Sequence, residues 1–98
     1  MQVTECVERA LSRYGSTTAR VVIWNFENSY KLHKEDIVRY PEEFVQSLNK
    51  MFGIGSHLIE KAIAQEIQSI YGLDYNDAQN LVTVLREVRS QSRRMVEH

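Results

Sequence analysis

The chain has 98 residues, 43% of them hydrophobic and 26% charged, with a formal net charge of −1. That length fits one domain, residues 1–98, around a single modest core, and the composition excludes a disordered chain. The balanced charge excludes a global field drawing the protein toward nucleic acid or an acidic membrane, and the lone Cys6 excludes an internal disulfide.

The first apolar stripe, Val3, Val7, Ala10, Leu11 and Tyr14, predicts a helix from about Val3 to Tyr14, with Gly15 as a left-handed cap. Ser16 or Thr17 is placed to cap the next helix. Its "RVVIW" run favours an extended strand by β-branching. Helical spacing of Ala19, Val22, Ile23, Phe26 and Tyr30, and the absence of a second strand to pair with, decide for helix. The polar "KLHKEDIVRY" reads as a connector with one short helical turn, pinned to the core by Leu32 and Ile37.

Tyr40-Pro41 marks the start of a third helix, because proline at the first helical position loses no needed hydrogen bond. Glu42 and Glu43 then complement the helix dipole, and Phe44, Val45, Leu48, Met51 and Phe52 carry an apolar face to Gly53. In "GIGSH", Gly53 reads as a cap, Ile54 as tucked inward and Ser56 as the cap of a fourth helix. That helix buries Leu58, Ile59, Ala62, Ile63, Ile67 and Ile70 and ends at Tyr71-Gly72. Asp74 or Asn76 caps a long last helix that runs to about Met95 on Ala78, Leu81, Val82, Leu85 and Val88. The expected fold is all-α, a compact bundle of about five helices with the last one long.

The two closely spaced glycines invite comparison with phosphate-binding loops. A dinucleotide fingerprint needs a preceding strand, a third glycine where Leu58 stands, and a following β-α-β unit. A P-loop needs a Gly-Lys-Ser/Thr ending that "GIGSHLIEK" lacks. The turn is therefore a corner between helices, although the Ser56-His57 end presents free N–H groups that suit an anion. His33, His57 and His98 are scattered, without partners at zinc spacing, and His57 with Glu60 reads as a surface pair. Cys6 sits near Val3 and Val7 and reads as packed rather than reactive. The carboxylate pairs Glu42-Glu43 and Asp74/Asp77 lie at helix starts, where capping explains them. No catalytic residue, cofactor or metal is expected.

Two surfaces stand out. Arg86, Arg89 and Arg93 recur along one side of the last helix with Arg94 beside them, an electrostatic footprint for nucleic acid. Glu87, Glu97 and the missing glycine and aromatic interleaving count against that use. The same helix carries a coiled-coil-like seam through Leu81, Leu85, Val88 and Met95, with Val84 adding apolar surface beside it. On the second helix Val21 and Trp24 fall outside the Val22-Phe26 face. Apolar residues beyond what one face buries point either to self-association as a homodimer, the leading expectation, or to a bundle that surrounds the second helix.

"YPEEFVQSLNKMFG", "GSHLIEKAIAQEI" and the closing "YGL" lie between Val22 and Leu73, about half the chain. This segment resembles a small archaeal all-helical family, the Nitrosopumilus output domain type, whose members occur alone or joined to signal-input modules. The resemblance implies a non-enzymatic interaction or signalling-output role and carries over no functional residues. The expectation is a cytoplasmic, self-associating module with an unidentified protein partner and no membrane partner. The alternative is nucleic-acid binding through the arginine stripe. No apolar run reaches spanning length, and the N-terminus lacks the charged-then-apolar order of a signal peptide.

Overall fold

Every regular element of the computed structural model is helical; it describes residues 2–73 and 80–96, with side chains through residue 91. Helix α1 spans Val3–Ser12 and buries Val3, Cys6, Val7, Ala10 and Leu11. It stops before the expected end, and Tyr14 is half exposed in the turn beyond it, outside the apolar face. Gly15 has φ +137°, well past the left-handed helical value, and lies two residues after the cap, Arg13. Thr18 Oγ1 closes the turn by donating to Tyr14 O at 3.1 Å. Helix α2, Thr18–Tyr30, takes in the whole "RVVIW" run and buries Val22, Ile23 and Phe26. Its cap, Thr17, makes no side-chain bond, so the expected hydroxyl cap is absent.

The connector holds the expected short turn, a 3-10 element at Lys34–Ile37, with Ile37 fully buried and Leu32 packed on the core. The Asp36 carboxylate accepts the His33 N–H at 3.0 Å, and Glu27 accepts the Lys34 N–H at 2.9 Å, tying this turn to α2. Helix α3, Pro41–Phe52, begins at the proline and carries Glu42 and Glu43 in its first turn. A 3-10 corner, Gly53–Gly55, leads directly into α4, Ser56–Tyr71. Gly72 ends α4 in the left-handed conformation at φ +66°, as its type and position predict.

Two expectations at the corner fail. Ile54 points into solvent at 92% exposure, and Leu58 is 71% exposed in the first turn of α4. Ser56 does not cap α4: it is the helix's first residue, and its buried hydroxyl donates to Asn49 Oδ1 at 2.6 Å. Asn49 in turn donates to Val45 O at 3.1 Å, so a side-chain relay joins the corner to α3. Helix α5 spans Leu81–Val96, its first turn capped by Asn80, which accepts the Thr83 N–H at 2.9 Å. The expected caps Asp74 and Asn76, and Ala78, lie outside the described residues. Helices α4 and α5 are each 16 residues, so the last helix is no longer than the one before it.

Contacts run from α1 to α2, α2 to α3, α3 to α4 and α4 back to α1, which closes a ring of helices around one core. Helix α5 lies against α3 and α4. Phe26 meets Phe44 edge-to-face, with centroids 5.6 Å apart and planes at 85°. The radius of gyration, 12.8 Å, matches the ~13 Å of a folded chain near this length.

Among the described residues other than glycine, Lys31 alone has a positive φ. Lys31 ends α2 with φ 55° and ψ 44°, a left-handed conformation that costs a residue with a Cβ about 1–2 kcal/mol. Lys31→Gly is expected to raise unfolding stability by about 0.5–1 kcal/mol in urea titration, despite the greater freedom glycine gives the unfolded chain. A loss of stability in that variant contradicts the assignment of strain.

Candidate functional site

The outer face of α2 follows from the phase of its inner face. With Val22, Ile23 and Phe26 turned to the core, Val21 and Trp24 emerge on the other side, one helical turn apart. They are 49% and 62% exposed, and polar Arg20 and Asn28 stand beside them on the same side. Asn28 Nδ2 donates to Trp24 O at 2.8 Å, which occupies its amide on the helix itself. The apolar patch expected from the sequence is therefore bare in the folded chain.

The seam on the last helix has the opposite fate. Leu81, Val84, Leu85 and Val88 are all 2% exposed or less and belong to the chain's own core. Their expected role in self-association gives way to docking of α5 on α3 and α4, and Val84 is an inner residue rather than extra surface. The Met95 side chain lies outside the described residues, as do those of Arg93 and Arg94. Arg89 is exposed, whereas Arg86 is ion-paired and hydrogen-bonded to Glu42 in the first turn of α3. That pairing neutralises one member of the arginine stripe and so reduces its pull on phosphates.

Elsewhere the charged groups serve packing. Glu66, mostly buried on α4, faces Arg9 Nε at 3.4 Å and Arg13 Nη2 at 3.1 Å, which spans the α1–α4 seam. Ser47 Oγ, also buried, donates to Asn25 Oδ1 at 2.9 Å and joins α3 to α2. His57 is exposed, while Glu60 Oε2 is shielded from solvent without a hydrogen-bond partner among the described residues, so this oxygen makes no bond to His57. Among the described residues no three His, Cys, Asp or Glu side chains converge as metal ligands. No helix among them is long and apolar enough to cross a membrane.

Cys6 is fully buried. Burial, then the nearby Glu66 charge, pushes its thiol above the ordinary value of 9.0. Burial, with Cys6 and Glu5 beyond it, likewise raises Tyr71 above 10.0. The exposed Leu58 is a surface apolar group that the periodic pattern misassigned to the interior, and Ile54, expected to tuck inward at the corner, is exposed as well; only the flanking glycines marked the spot as a corner.

Two measurements follow from this placement. Leu85→Ala is expected to lower stability by about 2–5 kcal/mol, equally at dilute and concentrated protein. A loss that grows with protein concentration instead assigns the seam to a contact between copies. A thiol and a phenol with raised values stay protonated in the fold, whereas the unfolded chain releases these protons first. Their contribution to stability is complete below about pH 9 and declines as pH rises through the ordinary thiol and phenol range. A Cys6→Ser, Tyr71→Phe double variant is expected to show a shallower alkaline decline in denaturation midpoint. Comparison with protein-family models, curated proteins and solved structures finds no match for the chain.

Proposed function

We propose that this protein is a non-enzymatic interaction module of the signalling-output kind, working in the cytoplasm as a reversible homodimer through the outer face of α2. The observation that carries the reading is the pairing of exposed Trp24 with exposed Val21 on one helix face. A large aromatic ring at a surface, beside a second apolar side chain, is the usual anchor of a protein contact. A second copy suits this face because a helix stripe can meet its own twofold image, each Trp24 covering the partner's Val21. A net charge of −1 leaves little repulsion between copies. The buried, unpaired Cys6 accords with a reducing compartment. The resemblance of the Val22–Leu73 segment to archaeal output domains supports the signalling side of the reading, with an unidentified protein as the downstream partner.

Two side chains supply only part of the ~800 Å² per partner that a stable interface uses. The dimer is therefore expected to be weak, with Kd on the order of 10–100 μM. Sedimentation velocity across that range is expected to show concentration-dependent association. Trp24→Asp should abolish it while leaving the far-UV circular dichroism unchanged, because Trp24 packs little into the core. A wild-type chain that stays monomeric to about 1 mM, or a Trp24→Asp variant that associates as before, rejects the reading.

A further inference from the structure

The stripe that α2 turns to solvent is longer than its apolar centre. At about 100° per residue, Arg20, Val21, Trp24, Asn28 and Lys31 fall on one side, and all five are exposed. Val21 and Trp24 occupy the middle. Arg20 stands one turn before Trp24, and Lys31, the cap of the helix, two turns beyond it. The two cations are therefore about 16 Å apart along the axis, at 1.5 Å per residue.

The charges at the ends of this stripe are unpaired. Elsewhere Arg9 and Arg13 face Glu66, and Arg86 faces Glu42. The side chains of Arg20 and Lys31 form no ion pair or hydrogen bond among the described residues. The one carboxylate of α2, Glu27, is half-buried, and its Oε2 accepts the Lys34 N–H at 2.9 Å. Glu35, in the turn that follows, lines a hollow with Val3, Tyr71 and Val88. The same stripe of a second copy brings apolar cover for Trp24 and Val21 but no free carboxylate, so self-association leaves both cations unanswered. A segment with apolar side chains between two carboxylates answers the whole stripe at once. A nucleic-acid strand stacks on the ring, but two cations neutralise too few phosphates to hold it, and Val21 keeps no aliphatic cover.

We propose that this stripe receives the downstream partner as an acidic amphipathic segment, its apolar side chains on Trp24 and Val21 and its carboxylates opposite Arg20 and Lys31. The proposal rests on the reading of the outer face of α2 as the contact surface, and adds that the partner and the second copy compete for it. Self-association then stores the face, and the acidic partner draws the protein out as single copies by mass action.

Trp24 is the chain's single tryptophan, so its fluorescence reports on this face directly. The probe is a synthetic amphipathic peptide of about four helical turns, free of aromatic residues, with glutamates flanking its apolar stripe. A control peptide carries glutamine at every glutamate. With the full chain at about 1 μM, below the Kd of the dimer, the acidic peptide is expected to blue-shift Trp24 emission saturably. Raising salt from about 50 to 500 mM, the glutamine control, and an Arg20→Gln, Lys31→Gln double variant are each expected to weaken binding about fivefold, the loss of two exposed charge pairs. Both side chains are exposed, so the double variant keeps its circular dichroism, and its self-association in sedimentation velocity is expected to persist. Excess acidic peptide is expected to return a concentrated wild-type sample to single copies. No saturable shift, equal binding of the glutamine control, or an equal shift with a single-stranded oligonucleotide overturns the proposal, as does a peptide that binds without dissolving the dimer. A chain that stays monomeric yet binds the acidic peptide in this salt-dependent way keeps the partner assignment and rejects the homodimer.

Discussion

The edge-to-face contact between Phe26 and Phe44 sets the rotation of α2 about its own axis, and much of the surface follows from that rotation. At about 100° per residue, a Phe26 held inward puts Trp24 nearly opposite it and Val21 well round the same outer side. The contact also locks α2 to α3, the helix that touches α2, α4, α5 and both 3-10 turns. Ser47 with Asn25, and Tyr30 with Gln46 and Lys50, add polar contacts along that junction. The bare patch on α2 is thus a by-product of how its inner face is satisfied.

Helical spacing made the architecture legible. Val3, Val7 and Leu11, then Val22 and Phe26, then Phe44 and Leu48, then Ile59, Ile63 and Ile67, all lie where the 3.6-residue period puts them. The same rule overreached at element ends. Tyr14, Leu58 and Ile70 keep the period, but each sits at or near a helix end, where the ring of neighbouring helices no longer covers it. Ile54 has no period at all, and glycines on both sides leave its direction to the tertiary turn. Ser56 was legible as a helix-start residue but not as a partner of Asn49, because that bond depends on the angle between α3 and α4.

The surfaces divide in the same way. Trp24 and Val21 were legible because being off-phase on one helix is a local property. The α5 seam was legible only as apolar, since a stripe does not record whether its cover comes from the same chain or from a second one. Arg86 looked available because its partner, Glu42, stands 44 positions away in the sequence.

The α1–α4 seam has a consequence for how the chain is made. Helix α1 packs chiefly on α4, and its charged links, Arg9 and Arg13 to Glu66, close loops of more than fifty residues. Synthesis delivers α1 before α4, yet Val7, Leu11 and Cys6 find their main cover only after α2, α3 and most of α4 have followed. During that interval the nascent α1 offers an uncovered apolar face, with a reactive thiol not yet shielded by burial. A helix made before its main cover is therefore among the last to be secured, which makes translation rather than the finished fold the time of greatest exposure to misassembly.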